Sequence, residues 1–516
     1  MSECVMSTAS TTSTISPAST ELAGSLREVV LAGPGAGRAV PEDVAAHPLR
    51  VLASPARVRA AVAAGTEAVP GPAGTAGPPR RRTRSLPAVV TTVLVLGLCL
   101  FSGEGYGAVL ARLWPLLGWL HPALLLGPVV SAPALSQARA RLPVGVLRAI
   151  FQASAEQAAA LLSTPALSTL PGVRVFGLLA TAVDGTVFDL AGTDDLKARY
   201  ATPAGGRYPQ ARVVTLIACG TRQVLAAESD SIAVSEQRLW DRLVGHLKPG
   251  TINLADRNFF SMHRWHIAAA TGAHLIWRVK NGVNSLPATV IETMSDGSQR
   301  VRLRESDGML SRRRKTTGEK TAPRLDDITA RLVEFTVTVT DEAGRARTSR
   351  FRVLTTLLDP DAYPAEAIAA CYARRWQVEL VYKTIKSTLR GVGRRLRGQT
   401  PDLAEQELWG LLAVYNALAG HAVATAVDLA VDPHEISFTA VLRATRDHLT
   451  AGTAACPGCG RHATPVDLHA VIAAAPRNRT DRQRTAPRTA KDRQTEHARN
   501  VTYTITIEES NLPRAA

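Results

Sequence analysis

The stretch Val173-Arg-Val-Phe-Gly-Leu-Leu-Ala-Thr-Ala-Val183-Asp184-Gly-Thr186 decides the fold. It is a near-continuous apolar run of strand length that ends at a carboxylate and a Gly-Thr turn, and residues 187–191 continue it past a bend. Outward from it, residues 211–218, the turn Cys219-Gly-Thr221 and residues 223–227 read as a hairpin. Residues 235–247 read as a helix, 251–255 as a short strand delivering Asp256, 261–270 as a second helix and 273–280 as another strand. Three antiparallel strands followed by alternating helix and strand give a mixed α/β layer fold. Asp184 and Asp256 then each stand at the C-terminal end of a predicted strand, where sheets commonly present ligands and catalytic groups. A lone strand-end aspartate serves equally well as a turn or cap residue.

The alternation breaks after Lys280. Residues 288–293, 300–304, 332–340 and 348–356 are strand-like and separated by Asp-Gly and Glu-Ala-Gly turns, which makes residues 281–356 a β-rich insertion with Arg312-Arg-Arg-Lys315 near a loop, as a phosphate contact or a solvated basic turn. Past Pro364 the chain turns helical through Tyr372-Ala-Arg-Arg375-Trp-Gln-Val-Glu379 to Lys386. At about 100° per residue, Tyr372, Arg375, Glu379 and Lys386 fall within an arc of about 60°. The apolar Val378, Val381, Ile385 and Leu389 centre about a quarter turn away, so the four polar groups sit at the rim of a core. A solvated face with an Arg375/Glu379 pair has the same spacing. A third carboxylate beside the two aspartates changes the balance. Three hard oxygen ligands suffice to hold two Mg²⁺ or Mn²⁺ ions about 3.5–4 Å apart.

Composition bounds the partners. Of 516 residues, 60 are Lys or Arg and 44 Asp or Glu, a formal charge of +16, which favours a polyanion. With 46% hydrophobic and 20% charged residues the chain is not disordered throughout. Residues 1–84 are the exception: rich in Ser, Thr, Ala, Pro and Gly, they read as a disordered arm. Six scattered cysteines, with no apolar stretch near the N-terminus, point to a reducing compartment and no ordinary signal peptide. The apolar run over residues 86–101 is about 16 residues, below the roughly 20 that span a bilayer, and reads as a buried helix with no membrane role. Residues 85–165 read as a small helical domain in which Ser136 caps a helix that sends out Arg139 and Arg141, which suits a basic helix against DNA and equally a structural helix pair. Residues 403–424 and 438–449 read as further helices. Cys456-Pro-Gly-Cys459, with His462 and His469, offers a zinc set or a polar turn, and the Arg/Lys-rich residues 477–499 a phosphate-contacting or solubilising tail.

Asp184-Gly-Thr-Val-Phe-Asp-Leu190, Leu254-Ala-Asp256-Arg-Asn-Phe259 and the ungapped Y-x2-R-x3-E-x6-K spacing from Tyr372 to Lys386 resemble the DDE transposases of bacterial insertion sequences, in the insertion-sequence-four family. The resemblance spans about residues 86–424. It implies a ribonuclease-H-like core over residues 166–280 and 357–425, interrupted by the insertion, with residues 426–516 as a C-terminal helical segment and basic tail. Asp184, Asp256 and Glu379 would hold two Mg²⁺ (or Mn²⁺) ions, while Tyr372, Arg375 and Lys386 would contact DNA phosphates. The implied function is cut-and-paste transposition: cleavage at the terminal inverted repeats and strand transfer into target DNA by a homodimer in the cytoplasm, at the nucleoid. Asn258 stands where relatives often have glycine. No Trp lies in residues 281–351 to hold a flipped base, which leaves Phe351 or Phe335 for that task. A metal-dependent nuclease that does not integrate, and an inactive DNA-binding relative, are the alternatives.

Overall fold

The computed structural model describes residues 60–61, 86–120, 130–281, 286–340, 344–451, 467–478, 502–509 and 512–513. Nearly all of the predicted N-terminal arm, Cys456, Cys459, His462 and most of the basic tail lie outside the described residues.

Helices α1 (Ala88–Leu100), α2 (Tyr106–Leu120), α3 (Ala132–Ala140) and α4 (Val144–Leu162) lead into the sheet. Strands β1 (Arg174–Val175) and β2 (Leu178–Asp189) follow, then α5 (Asp194–Arg199), β3 (Gln210–Ala218), β4 (Val224–Ser231), α6 (Glu236–Leu243), β5 (Thr251–Ala255), α7 (Met262–Ala270) and β6 (His274–Arg278). The insertion supplies β7 (Ala288–Thr293), β8 (Gln299–Leu303), α8 (Asp307–Thr317), β9 (Ile328–Thr340) and β10 (Ala346–Thr355). Helices α9 (Ala365–Ala373), α10 (Trp376–Lys383), α11 (Pro401–Leu429), α12 (Phe438–Ala451) and α13 (Leu468–Ala474) and strand β11 (Thr502–Glu508) follow the insertion.

The described strands form one sheet in the order β4-β3-β2-β5-β6-β10-β9-β8-β7. Strands β2, β3 and β4 run antiparallel, whereas β5 pairs parallel with β2 and β6 parallel with β5. That five-strand order is the ribonuclease-H-like arrangement expected from the sequence. The insertion lies between β6 and the Glu379 helix, also as expected, but it is not a separate sheet. Strand β10 pairs antiparallel with β6, Leu354 opposite Trp277, and extends the core sheet without a break.

Side-chain alternation puts the two faces of the sheet into two cores. Ala180 and Ala182 of β2, with Ile252 and Leu254 of β5, face the core shared with α1, α4, α10 and α11. Val183 and Ala255 face the other, with Trp240, Trp265 and Trp277. By the same parity Asp184 and Asp256 extend from the α10 face. The long helix α11 is apolar and long enough to cross a bilayer by length and composition, and most of its side chains are buried in the protein core.

Four readings need correction. Strand β2 is continuous through Asp184 to Asp189, since β3 pairs along its whole length from Thr181↔Ala218 to Asp189↔Gln210. The chain bends earlier, at Phe176 and Gly177, whose φ values are 53° and 72°. Ser131, not Ser136, caps α3, and Arg139 is buried: its guanidinium donates to Gln406 Oε1 (3.3 Å), Tyr106 Oη (3.0 Å) and the Leu403 carbonyl (2.7 Å). It ties the N-terminal helices to α11 and is unavailable to DNA. Arg312–Lys315 lies on α8, capped by Ser306, and not in a loop. Finally, the helix expected from Tyr372 is interrupted. Tyr372 ends in α9, Arg374 and Arg375 form the junction with i→i−3 bonding, and Lys386 lies in a π-helical turn, Thr384–Leu389.

Strand β11 is an element the sequence reading passed over. It pairs antiparallel with β9, Ile507 opposite Phe335, while Leu512 is buried and the Pro513 carbonyl accepts from Val290 N. Removing residues 502–516 therefore leaves part of one side of β9 unpaired. The expected result is a lower melting temperature and increased light scattering, with far-UV circular dichroism retaining the core helices.

Candidate active site: three carboxylates around an arginine

Parallel register brings the two aspartates level. Ala182 of β2 pairs with Leu254 of β5, so the residues two further along, Asp184 and Asp256, emerge side by side where β5 ends and β2 continues. Each carboxylate is fixed by the backbone N–H of the next residue. Asp184 Oδ1 accepts from Gly185 N at 2.8 Å and Asp256 Oδ1 from Arg257 N at 2.7 Å. The second oxygen of Asp184 meets Arg375 Nη1 at 3.5 Å, and Arg375 Nη2 reaches Glu379 Oε1 at 3.1 Å. The guanidinium thus bridges the strand carboxylate and the helix carboxylate, with all three side chains between 12% and 18% exposed.

The electrostatics follow from that crowding. Burial pushes the Asp184 carboxyl up to about 6, the neighbouring Glu379 and Glu236 add to the rise, and Arg375 opposes it. Burial works against the charge on Arg375, but Tyr372, Asp184, Asp256 and Glu379 together outweigh it and raise its pKa further. Tyr372 is itself buried, its ring 6.4 Å from that of Phe351, and burial pushes its phenol up to about 12. Among the described residues no well-formed hydrogen bond satisfies its hydroxyl. Lys386 donates to Thr186 Oγ1 at 2.6 Å and stacks 5.1 Å from the Phe188 ring centre; burial, then Arg390, lower its pKa to about 8.

The structure therefore gathers Asp184, Glu379 and Arg375 into direct contact, places Asp256 beside them, and sets Tyr372 and Lys386 on either flank. An open cleft of about 920 Å³, lined by Asp256, Arg257, Asn258 and Lys280, adjoins Asp256. Of the two aromatic candidates, Phe335 is buried and stacks on Phe351 at 5.3 Å; Phe351 is half-buried with Arg278 lying 4.6 Å over its ring. His469 is elsewhere, on α13, its Nε2 3.3 Å from His421 Nδ1.

Two positioning residues escaped the sequence. Tyr382, one turn beyond Glu379, donates its hydroxyl to the Asp184 carbonyl at 2.6 Å and accepts from Thr215 N at 3.2 Å, bolting α10 to β2 beside the carboxylate. Glu236, the first residue of α6, packs where a β-carbon on Gly185 would lie 2.6 Å from its Oε1, and its Oε2 accepts from Asn258 Nδ2 at 2.8 Å. It links β2 beside Asp184 to the turn after Asp256, and Asn258 has a role there that glycine would not supply. In sequence Tyr382 reads as a core aromatic and Glu236 as an acid in a helix first turn.

The donor set suits a hard divalent cation, because all three side chains are carboxylates and two already share one cationic group. As they stand, no three His, Cys, Asp or Glu side chains among the described residues come close enough together to hold an ion, and the Arg375 guanidinium stands between Asp184 and Glu379.

A ribonuclease-H-like sheet with one aspartate within its central strand β2, a second at the end of β5 and a glutamate on α10 beyond the insertion is the arrangement of a polynucleotide-processing enzyme. Comparison with known proteins narrows the class. Residues 176–417 match the Transposase DDE domain family, and residues 66–152 the Insertion element 4 transposase N-terminal family. The transposase InsG of insertion sequence element IS4 from Escherichia coli (strain K12) is 26% identical over 365 residues, covering 69% of this chain and 75% of that protein. The transposase of insertion sequence element IS421 from Escherichia coli is 42% identical over 64 residues, 12% of this chain and 17% of that protein. A piggyBac transposase synaptic complex with hairpin DNA aligns over 84% of this chain and 80% of that one, at 9% identity and a TM-score of 0.39. The chain belongs to the DDE transposases of the insertion-sequence-four family, enzymes that cut and rejoin DNA and generally use a divalent metal.

Two outcomes follow from the geometry. Tyr382→Phe leaves the Asp184 carbonyl and Thr215 N without their shared partner; it should cost about 1–3 kcal/mol in denaturant unfolding and slow DNA cleavage. A lysine can pair with a phosphate only as the ammonium, and for Lys386 that form dominates at pH 7 and is lost as pH rises through about 8. Wild-type affinity for duplex DNA should fall about tenfold between pH 7 and 9, measured by fluorescence anisotropy, and Lys386→Arg should flatten that profile.

Proposed function

We propose that Asp184, Asp256 and Glu379 are the ligands of two Mg²⁺ (or Mn²⁺) ions, and that Tyr372, Arg375 and Lys386 hold the DNA backbone at the scissile phosphate. The observation that carries this reading is the convergence of the three acids on one guanidinium, two by contact and Asp256 through its field. When bound, the ions supply Lewis-acid charge at the attacking and leaving oxygens of an in-line displacement at phosphorus.

The protein's own groups supply the rest. The backbone N–H groups of Gly185 and Arg257 each fix one oxygen of the preceding aspartate, which orients the other. Tyr382 and Glu236 hold the spacing between strands and helix. The Arg375 fork presents two N–H groups to phosphate oxygens, Lys386 adds a point charge, and the buried Tyr372 hydroxyl is free to hydrogen-bond a DNA oxygen brought beside it. Phe351 is the more exposed of the two aromatic candidates, and an unpaired base stacking on it would have to displace Arg278 from its ring. The substrates are the terminal inverted repeats of an insertion sequence and a target duplex. Water cleaves each end, the freed 3′-OH then attacks the target, and a homodimer holds both ends.

Asp184→Ala, Asp256→Ala and Glu379→Ala should each lower Mg²⁺-dependent cleavage of a duplex carrying the terminal repeat by about a thousandfold or more, with gel-shift affinity for that duplex within a few-fold of wild type. Cleavage retained by any one variant removes that residue from the site. Strand-transfer products on a supercoiled target separate a transposase from a nuclease that only cuts.

A further inference from the structure

We propose that Arg375 is an internal counter-cation, which holds the Asp184–Glu379 gap until a DNA phosphate draws its guanidinium away, so that metal loading and DNA engagement are coupled. This rests on the assignment of Asp184 and Glu379 as metal ligands. A cation of the Mg²⁺ type sits about 2.0–2.1 Å from its carboxylate oxygens. With Arg375 Nη1 3.5 Å from Asp184 Oδ2 and Nη2 3.1 Å from Glu379 Oε1, the guanidinium lies between the two oxygens an ion would join. Guanidinium and metal cannot both occupy that space, and their like charges repel in a site largely sealed from water.

The local build lets Arg375 leave. It stands at the α9–α10 junction, where the bonding is i→i−3, and its side chain retains 16% exposure. Its neighbour Arg374 is anchored to the Gly172 carbonyl at 2.6 Å. A phosphate at the mouth of the site offers the fork a bidentate partner in place of two carboxylates. Linkage then requires reciprocity: DNA that withdraws Arg375 tightens metal binding, and metal that displaces Arg375 tightens DNA binding. Without DNA the carboxylates stay neutralised by the protein's own cation, which disfavours cutting before the substrate is seated.

Free Mn²⁺ measured by electron paramagnetic resonance tests this on the full chain. Wild type should bind Mn²⁺ weakly at this site. Arg375→Gln should bind about tenfold or more tightly, and Arg375→Lys, which keeps a charge but lacks the fork, should fall between them. A terminal-repeat duplex should tighten wild type about tenfold while leaving Arg375→Gln nearly unchanged, with Mn²⁺ held by DNA itself subtracted using Glu379→Gln. Should Arg375→Gln lose its circular dichroism melt, Arg375→Lys and the wild-type response to duplex carry the test. Arg375 variants binding no tighter than wild type, while Glu379→Gln loses binding, overturn the coupling and leave the ligand assignment standing. Glu379→Gln binding Mn²⁺ like wild type overturns both.

Discussion

Parallel pairing of β2 with β5, Ala182 opposite Leu254, is the constraint on which the site depends. Side chains alternate along a strand, so a one-residue slip would turn Asp256 away from Asp184 and toward the Trp240–Trp277 core. A buried polar chain holds the register. Asn253 is fully buried and receives the Trp277 indole N–H at 2.9 Å, while its own amide donates to Thr181 at 3.3 Å, crossing β6, β5 and β2 with one polar chain. A shift of β5 would strand those groups in the core, which is expensive.

The helix side of the site is less regular, and its irregularity has a use. A straight helix would hold Tyr372, Arg375, Glu379 and Lys386 in one arc. The junction at Arg374–Arg375 and the π turn at Thr384–Leu389 instead spread them: Tyr372 against Phe351, Arg375 and Glu379 on Asp184, Lys386 over Phe188. On the proposed assignment one motif serves two clients, the carboxylates and the DNA backbone. Both depend on Tyr382, whose hydroxyl fastens the helix to the strand carbonyl of Asp184 itself.

Much of the core was legible because its strands are short, apolar and punctuated. Residues 251–255 and 288–293 match their strands to the residue, and the three acids stand out from predicted strand ends and helix spacing, with the family resemblance implying their roles. What failed to show in sequence depends on distant partners or on ambiguous local signals. Gly185-Thr186 looks like a turn, yet β3 pairs straight past it. Arg139 looks like a displayed base, yet its partner Gln406 lies 267 residues away. Arg312–Lys315 looks like a loop between Asp-Gly and Gly-Glu, yet Ser306 caps it into a helix. Strand β11, Thr502-Tyr-Thr-Ile-Thr-Ile-Glu508, carried a plain two-residue alternation that the basic composition before it obscured.

The central claim is that Asp184, Asp256 and Glu379 share metal ions when DNA is bound. Anomalous scattering from Mn²⁺ in crystals of the protein with a terminal-repeat duplex addresses it without relying on turnover. The account predicts anomalous peaks within coordination distance of all three carboxylates, with Arg375 turned onto a phosphate. Peaks that avoid Glu379 or either aspartate, or Mn²⁺ bound with Arg375 still bridging Asp184 and Glu379, would contradict it.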